Sequence, residues 1–344
     1  MRLVTDLIDL SDLIAWARAQ TFPQLELGEY LPAVERETID YRAVVGERAR
    51  TQAAGFRSYD AETRIGDTPG IREQRGSLPP LGIKYPLPES ENLRLRQLAG
   101  MADEAVEAAL VSRADQAVRG IRERVELAIG QALSTGVVEI PEAGMAFEID
   151  YGIPSDHKIT AGTLWTDGEN SDPFDDLTTW LEAYEDNTDG ATPAVAITSR
   201  RVINAMLRHP KVINMVYGAV GQGTPSQVTM QALEQTLGAH GLPPLRPYNT
   251  RVMGPDGQRV RPIPEDRLVW LPDVSAEPLG ETTYGVTAEA IELADQGVID
   301  AQESPGIVVT TLKADDPVTV WTKSSAIALP VIANPELILT AKVV

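Results

Sequence analysis

Residues 90–136 contain the strongest periodic pattern of the chain and read SENLRLRQLAGMADEAVEAALVSRADQAVRGIRERVELAIGQALSTG. Apolar residues recur every three or four positions, which predicts an amphipathic helix about 60 Å long. They are Leu98, Ala102, Ala105, Ala109, Leu110, Ala114, Ala117, Ile121, Val125, Ala128 and Ala132. Ser90 is the expected N-cap, Gly136 the expected C-cap, and Gly100 and Gly120 are the positions where a kink is expected. Since most of the stripe is alanine, whatever packs against it must approach closely.

The segment before this helix has too few large apolar residues to form a core. Residues 51–90 read TQAAGFRSYDAETRIGDTPGIREQRGSLPPLGIKYPLPES and contain five prolines and five glycines. Loops of this length are usually functional or disordered in compact domains. The pattern predicts a strand at 56–65 and a return strand at 82–87, and a two-stranded arm is marginally stable alone in water. We therefore expect a neighbouring subunit to support the arm.

Composition argues against several functional classes. The chain has 344 residues, of which 43% are hydrophobic and 23% charged, as in ordinary globular proteins. Without cysteine it has no disulfides, thiolate metal site or cysteine nucleophile, and a net charge of −20 disfavours nucleic-acid binding. Its apolar runs are shorter than the ~20 residues of a bilayer span. Asp6, Asp9 and Asp12 fall where a secretory signal needs an apolar run, so we expect neither membrane insertion nor export.

The remaining segments predict a mixture of helices and strands. Predicted helices cover 5–18, with Thr5 as N-cap, 200–208 and 227–239, and an apolar-spaced segment lies at 174–184. Predicted strands cover 38–44, 145–151, 194–198, 268–271, 306–312, 318–322 and 337–343. The run Pro-Asp-Gly at 255–257 supplies the turn of a hairpin. The fold class expected from this order is α+β.

Residues that could carry catalysis are few. The histidines His157, His209 and His240 each stand alone in a polar or proline-flanked segment. We expect ordinary surface or helix-end histidines, and His209 at the end of a predicted helix would favour the helix dipole. No serine lies in a nucleophile-elbow pattern. The sequence therefore predicts no catalytic, cofactor-binding or metal-binding residues.

Two further patterns superficially suggest ligand sites. The run GAVGQG at 218–223 lacks the Lys-Ser/Thr pair of a phosphate-binding loop and follows a predicted helix, so we expect a flexible loop. An acidic group could attract a cation, but its spacing fits no calcium loop and a solvated acidic face is expected. Its members are Asp172, Asp175, Asp176, Asp186 and Asp189. A hydrolase that uses this group is the enzyme alternative, and it would need a catalytic base that the sequence does not supply.

Four segments carry a family resemblance. Residues 124–136 read RVELAIGQALSTG, and residues 147–177 read FEIDYGIPSDHKITAGTLWTDGENSDPFDDL. Residues 191–212 read ATPAVAITSRRVINAMLRHPKV, and residues 315–344 read DDPVTVWTKSSAIALPVIANPELILTAKVV. In their order and spacing across residues 25–344, these segments resemble the lambda-type major capsid protein E family of tailed bacteriophages.

The resemblance implies the tailed-phage and herpesvirus major capsid (Johnson) fold, with an N-terminal arm, extended loop, long spine helix, peripheral domain and axial domain. The implied function is structural and not enzymatic: self-assembly into hexamers and pentamers that form an icosahedral phage head around double-stranded DNA. The implied boundaries are 1–50 for the N-terminal arm, 51–90 for the extension loop, 91–165 for the spine helix and first part of the peripheral domain, 166–305 for the axial domain, and 306–344 for the C-terminal strands of the peripheral domain.

The resemblance also implies partners and a location. Besides copies of itself, the protein is expected to use a separate scaffolding protein, since only about 90 residues precede the helix. A portal protein, an optional decoration protein and non-specific contact with packaged DNA are also implied, without a membrane. Assembly would occur in the host cytoplasm and the product would be the virion. Lys84 is expected to be an ordinary exposed lysine and not a cross-linking one.

Two alternatives of related architecture remain. An encapsulin-type compartment would share the fold but enclose a cargo enzyme instead of DNA, and the lambda-type segments favour the phage protein. A phage tail or neck protein would not be expected to combine a 40-residue arm with such a long helix.

Overall fold

The computed structural model combines helices with β-sheets, which confirms the predicted α+β class. It describes residues 2–3, 10–46, 56–57, 59, 62, 71–98, 104–142, 147–218, 225–298 and 306–344. The helices are α1 (Leu10–Ala19), α2 (Glu89–Leu98), α3 (Glu104–Thr135), α4 (Pro173–Asn187), α5 (Arg200–Arg208), α6 (Pro210–Tyr217), α7 (Met230–Ala239) and α8 (Ala288–Asp295). The strands are β1 (Arg2–Leu3), β2 (Ala33–Glu35), β3 (Asp40–Gly46), β4 (Ile71–Ser77), β5 (Pro80–Pro88), β6 (Val137–Ile140), β7 (Phe147–Asp150), β8 (Lys158–Thr160), β9 (Val195–Thr198), β10 (Leu245–Pro247), β11 (Val252–Met253), β12 (Arg259–Val260), β13 (Arg267–Leu271), β14 (Gly280–Gly285), β15 (Val308–Asp315), β16 (Val318–Ile332) and β17 (Leu339–Lys342).

Helices α2 and α3 correspond to the predicted long helix. Helix α2 begins at Glu89, one residue before the predicted N-cap. Helix α3 ends before Gly136, whose φ of +73° and backbone bond to the carbonyl one turn back form the predicted C-cap. At 32 residues, α3 is about 48 Å long and continues through Gly120 without a break. Gly100 lies outside the described residues.

The apolar stripe of α3 is buried as its spacing predicts. Buried positions include Val106, Leu110, Ala114, Ala117, Val118, Ile121, Val125, Ala128, Ile129 and Ala132. Small residues let other elements approach closely: a Cβ on Gly120 would lie 3.5 Å from Cγ2 of Ile83 on β5. A Cβ on Gly130 would clash with the carbonyl group of Pro262. The buried alanines of α3 therefore serve close packing, as expected, and Gly120 and Gly130 do so as well.

A six-stranded sheet packs against α3. Its order is β1-β15-β16-β14-β2, and β5 pairs with β16. The predicted strand at 82–87 is confirmed within β5, while most of its predicted partner, 56–65, lies outside the described residues. Strand β5 pairs along its whole length with β16, from Pro88↔Thr319 to Pro80↔Ile327. Of residues 56–65, the described ones are not in a strand.

A separate two-stranded ribbon consists of β3 and β4. Seven antiparallel pairs join them, from Asp40↔Ser77 to Gly46↔Ile71. The predicted strand at 38–44 is therefore confirmed, while its partner at 71–77 was not predicted. Residues 47–70 connect the two strands, and this connection contains the few described positions between 56 and 62.

A five-stranded sheet forms the centre of a second core. Its order is β10-β9-β13-β17-β8, so the C-terminal strand β17 lies between β13 and β8. Helices α4, α5, α6 and α7 supply buried side chains to this core, which includes Trp165, Trp180 and Trp270. Trp165 and Trp180 stack with ring centroids 5.9 Å apart. This core is separate from the larger one between α3 and the six-stranded sheet.

Local capping explains where several helices begin. Asp172, Ser199, Thr229 and Thr287 each accept a backbone N–H three residues on, at the starts of α4, α5, α7 and α8. Helix α5 matches its predicted range, and α7 begins at Met230 and not at 227. The elements α6, α8, β1, β2, β6, β8, β10 and β14 were not predicted. Helix α1 begins at Leu10 among the described residues, and the predicted cap Thr5 lies outside them. Nowhere in the described ranges is a helix both long and apolar enough to cross a bilayer.

Candidate assembly surfaces

The β3–β4 ribbon carries exposed aromatic residues. Phe56 and Tyr59, in the connection between its strands, are fully exposed. On the ribbon itself, Glu73 pairs with both Arg42 and Arg75. Exposed ion pairs of this kind contribute little free energy, because water screens them. The ribbon therefore gains little stability from these ion pairs.

The base of the ribbon is anchored to the body. Tyr41 is buried in the larger core, and its ring lies over Gly76 on the opposite strand, where a Cβ would be 2.8 Å from the Tyr41 Cε1. The Gln74 Nε2 donates a hydrogen bond to the backbone oxygen of Asp150, at 3.3 Å. The anchored base and the exposed aromatic residues farther along the connection form a candidate assembly surface.

A buried carboxylate joins three parts of the chain. Oε1 of Glu126, on α3, accepts the backbone N–H of Leu27 at 3.0 Å and the hydroxyl of Tyr248 at 2.8 Å. Glu126 is 3% exposed, and burial raises the pKa of its carboxyl while the two hydrogen bonds oppose that rise. Leu27 belongs to the N-terminal segment and Tyr248 follows β10 of the five-stranded sheet. The carboxylate therefore fixes both segments to the long helix.

An arginine reinforces the same junction. Arg246, on β10, donates to Glu26 at 2.9 Å, to Glu29 at 3.0 Å and to the hydroxyl of Tyr30 at 3.1 Å. These partners all lie in the N-terminal segment. The N-terminal segment is thus held against the edge of the five-stranded sheet by one guanidinium group.

The C-terminal end of α3 is tied to the five-stranded sheet. The carbonyl oxygen of Ser134 accepts from Arg267 Nη1 at 2.8 Å and from Thr340 Oγ1 at 2.7 Å. Carbonyl groups in the last turn of a helix lack intrahelical donors, so side chains of β13 and β17 satisfy this one. The helix and the second sheet are therefore rigidly connected at this end.

The three histidines have structural surroundings. His209 caps the end of α5 and the start of α6, and His240 caps the end of α7, which confirms the helix-end expectation for both. His157 and His209 are buried, at 0% and 2% exposed, so the alternative of a surface position applies to neither. His157 donates from Nδ1 to the oxygen of Ile338 at 3.1 Å and accepts from Asn187 at Nε2. Burial lowers the pKa of both buried histidines.

One serine–histidine pair has the distance of a catalytic dyad but the wrong hydrogen positions. Ser171 Oγ lies 2.9 Å from His209 Nε2. Because His209 Nδ1 accepts the backbone N–H of Lys211 at 3.2 Å, Nε2 carries the hydrogen and donates it to the serine. The serine hydroxyl in turn donates to the carbonyl oxygen of Asp167. The histidine therefore donates a hydrogen bond to this serine. It does not accept the serine proton, as a general base would.

Two members of the acidic group serve the fold. Asp172 caps α4, and Asp176 accepts the indole N–H of Trp165 at 2.8 Å. In the described part of the chain, no cluster of three or more potential ligands could hold a metal ion. Lys84 lies over the ring of Trp321, 4.6 Å from its centroid. Most of the glycine run at 218–223 lies outside the described residues.

The fold is similar to that of capsid structures over almost the whole chain. A putative capsid protein of a prophage of Escherichia coli CFT073 aligns with a TM-score of 0.64 at 15% identity, covering 98% of this chain and 99% of that one. A phage-related protein from Bordetella bronchiseptica RB50 aligns with a TM-score of 0.57 at 14% identity, covering 99% and 98%. The capsid of Myoviridae phage XM1 gives 0.50 at 11%, covering 95% and 94%. No curated protein is significantly similar in sequence.

An anchored ribbon, a long helix across one sheet and a second sheet with its own core therefore belong to a fold that is similar to those of phage capsid structures. The chain belongs to the family Phage major capsid protein E, whose model matches residues 13–343. It is accordingly a structural component of the virion, where many copies form the capsid. The family membership confirms the resemblance found in the sequence.

Proposed function

We propose that this protein assembles into hexamers and pentamers that close an icosahedral phage head around double-stranded DNA. The observation that carries the proposal is the exposure of Phe56 and Tyr59, in the connection between the two strands of the ribbon. Both side chains are fully exposed in the described part of the subunit. Exposed aromatic side chains favour burial against another molecule. Family membership supports copies of the same chain as that other molecule.

The sheets support a division into two domains around the long helix. The six-stranded sheet would be the centre of the peripheral domain and the five-stranded sheet that of the axial domain. In this proposal β5 belongs to the peripheral domain, although it lies within the predicted extension loop 51–90, because it pairs with β16. Similarly, β17 belongs to the axial domain, although 306–344 was predicted as peripheral, because it pairs with β13. The working part of the extension loop would be the ribbon and its connection, 40–77.

The proposed partners follow from the same role. A separate scaffolding protein would direct assembly, a portal protein would occupy one vertex, and a decoration protein is an optional further partner. Packaged DNA would make only non-specific contacts, because a net charge of −20 repels the phosphate backbone. A non-enzymatic role is part of the proposal and agrees with the donor state of His209 toward Ser171.

Electron microscopy of assembled particles tests this function. The full chain, co-expressed with the scaffolding protein of its phage, should form closed shells visible by negative stain. Shells containing nuclease-protected double-stranded DNA after infection would support the phage head, and shells that enclose a cargo enzyme would support an encapsulin-type compartment instead. A monodisperse monomer under all these conditions, with hydrolytic activity abolished by Asp175→Asn or Asp176→Asn, would contradict the structural role.

A further inference from the structure

The outward face of α4 is acidic along its length. Its exposed positions recur every three or four residues, so they lie on one side of the helix. They are Asp175, Thr179, Glu182 and Asp186. Among the described residues, no ion pair involves Asp175, Glu182 or Asp186, and the nearby Lys211 pairs with Asp172 at 3.3 Å. The chain has no lysine or arginine between 166 and 199, so nothing on this segment itself neutralises the α4 face.

The outward face of α5 is basic. Arg200, Asn204 and Arg208 are exposed at intervals of four residues, and Arg201 is exposed beside them. Arg201 pairs with Glu265 at 3.3 Å, whereas Arg200 and Arg208 form no ion pair in the part of the chain that the structure describes. No aspartate or glutamate occurs between 199 and 217. The α5 face therefore presents two guanidinium groups that have no carboxylate partner among the described residues.

The α4 face and the α5 face belong to opposite edges of the five-stranded sheet. Helix α4 contacts 155–157, directly before the edge strand β8, and α5 contacts the other edge strand, β10. Helix α6 contacts both α4 and α5, so it lies between them in the helical layer. Since neighbouring strands are about 4.8 Å apart, the two edges of this sheet are separated by roughly 19 Å. Side chains of the two faces are therefore too far apart to pair within one subunit.

We propose that the α4 face of one copy of the chain packs against the α5 face of the next copy. Glu182 and Asp186 supply the carboxylates that Arg200 and Arg208 lack within their own subunit. A contact between two different faces of the same chain is head-to-tail, and repeated contacts of this kind can close into rings.

The net charge of the chain supports this choice of partner. At a net charge of −20, two copies repel each other in most orientations. A contact between opposite charges at the two sheet edges therefore selects one mutual orientation. The inference rests on the proposed function, because rings of five and six copies need a head-to-tail contact.

Charge reversal with rescue tests the pairing. Glu182→Lys/Asp186→Lys reverses the α4 face, Arg200→Glu/Arg208→Glu reverses the α5 face, and a fourfold variant carries both changes. Each double variant brings like charges together, so we expect a yield of closed shells at least roughly tenfold below that of wild type. The fourfold variant restores opposite charges with their positions exchanged. Its yield should return to within about threefold of wild type.

A matched control separates the contact from net charge. Glu292→Lys/Asp295→Lys, on the exposed side of α8, changes the net charge by as much as the α4 reversal and should leave the yield of shells unchanged. All the substituted side chains are exposed, and thermal unfolding of each unassembled subunit checks that the variants fold.

Cross-linking locates the contact in chains that keep all their charges. Because the chain has no cysteine, Thr179→Cys on α4 and Asn204→Cys on α5 each introduce a single thiol at the centre of one face. The two proteins are co-assembled with the scaffolding protein and treated with a short bis-maleimide. We expect a covalent dimer on a denaturing gel from the mixture and from neither protein alone. A mixture of Thr179→Cys with Ile291→Cys, an exposed position on α8, should give little dimer.

Failure of the contact and failure of the shell function give different results. A normal yield from either double variant, no rescue in the fourfold variant, or closed shells without the dimer would each overturn the contact and leave the shell function intact. If a basic segment of the scaffolding protein covered the α4 face instead, the fourfold variant would not recover. Absence of shells for the unmodified chain would contradict the shell function itself, on which the contact depends.

Discussion

The hydroxyl of Tyr248 donates a 2.8 Å hydrogen bond to Oε1 of Glu126, and so links the five-stranded sheet to the middle of the long helix. Both residues are buried. Since the same oxygen also accepts the N–H of Leu27, the position of the N-terminal segment depends on this carboxylate. A capsid subunit contacts several neighbours, so its own segments must keep fixed positions relative to one another. The junction at Glu126 is one contact that holds them.

Removing the hydroxyl of Tyr248 should loosen this junction. Tyr248→Phe keeps the ring but takes away a hydrogen bond to a buried carboxylate, and we expect a loss of about 1.5–3 kcal/mol in the free energy of unfolding. Chemical denaturation of the unassembled subunit measures it. A value within about 0.5 kcal/mol of wild type would mean that water replaces the hydroxyl at no cost.

The carboxyl of Glu126 should make stability depend on pH. Burial raises its pKa above the unfolded value, so as pH falls from 7 the folded state binds this proton before the unfolded state does. Wild type should therefore gain stability relative to Glu126→Gln on acidification, until the pH passes below the unfolded pKa. Denaturant titrations of both proteins at several pH values between 7 and 4.5 measure the difference. Parallel pH profiles would show that the carboxyl ionises as it does in the unfolded chain.

The buried histidines should have the opposite effect. Burial lowers the pKa of His157 and His209, so the unfolded state takes up protons first as the pH falls through about 6.5. Their contribution to stability is complete above that pH and is lost below it, because each neutral ring accepts a hydrogen bond that protonation removes. The variant His157→Gln/His209→Asn should show a flatter stability profile between pH 7.5 and 5.5. An equally steep profile in the variant would assign the pH dependence to other groups.

The close approach at Gly130 should not tolerate a side chain. Gly130→Ala places a Cβ against the backbone carbonyl group of Pro262, and we expect destabilisation of about 2 kcal/mol or more. Gly238→Ala is the matched control, since this helical glycine has open space around it and alanine is the better helix former. It should stabilise the subunit by up to about 1 kcal/mol. Thermal or denaturant unfolding of both variants checks the contrast, which equal effects would contradict.

The alanine stripe of α3 should resist enlargement. Ala117 is fully buried, so Ala117→Leu should cost about 1–3 kcal/mol through overpacking. Ala108, on the same helix, is exposed, and Ala108→Leu should change the free energy of unfolding by less than about 0.5 kcal/mol. Denaturation curves of the two variants provide the comparison. Similar values for both would show that the stripe is not packed as closely as the structure indicates.

Local sequence patterns predicted the elements whose stability is itself local. The stripe from Leu110 to Ala132 identified the long helix, and helix α5 was predicted to the residue because Ser199 caps an amphipathic segment. The cap at Gly136 was also predicted, since a left-handed residue after a helix favours glycine.

Long-range pairing was not predictable in the same way. Strand β5 was recognised, but its partner β16 lies more than 200 residues further along the chain. Strand β14 reads GETTYG, with glycine at both ends, and depends on hydrogen bonds with β16 and β2 for its conformation. Helix α6 was missed because its N-cap is His209, which is not a typical capping residue.

The buried junction was also missed from sequence. Glu126 lies in the segment RERVELA, whose alternating charges indicate a solvated helix surface. Only the fold brings Tyr248 and Leu27 to this carboxylate, from segments about 120 and 100 residues away. One local signal for the burial of Glu126 is that both of its neighbours, Val125 and Leu127, are apolar. Adjacent residues point to different sides of a helix, so this pattern indicates a helix that is buried on more than one face.

The central claim, that the ribbon connection joins subunits into a shell, is tested most directly by shortening it. Replacing residues 47–70 with Asn-Gly would close the Gly46↔Ile71 pair with a two-residue turn and leave β3, β4 and β5 in place. Electron micrographs of the shortened and full-length proteins, each co-expressed with the scaffolding protein, give the comparison. We predict closed shells for the full-length protein and a folded subunit without closed shells for the shortened one. Normal shells from the shortened protein would contradict the claim.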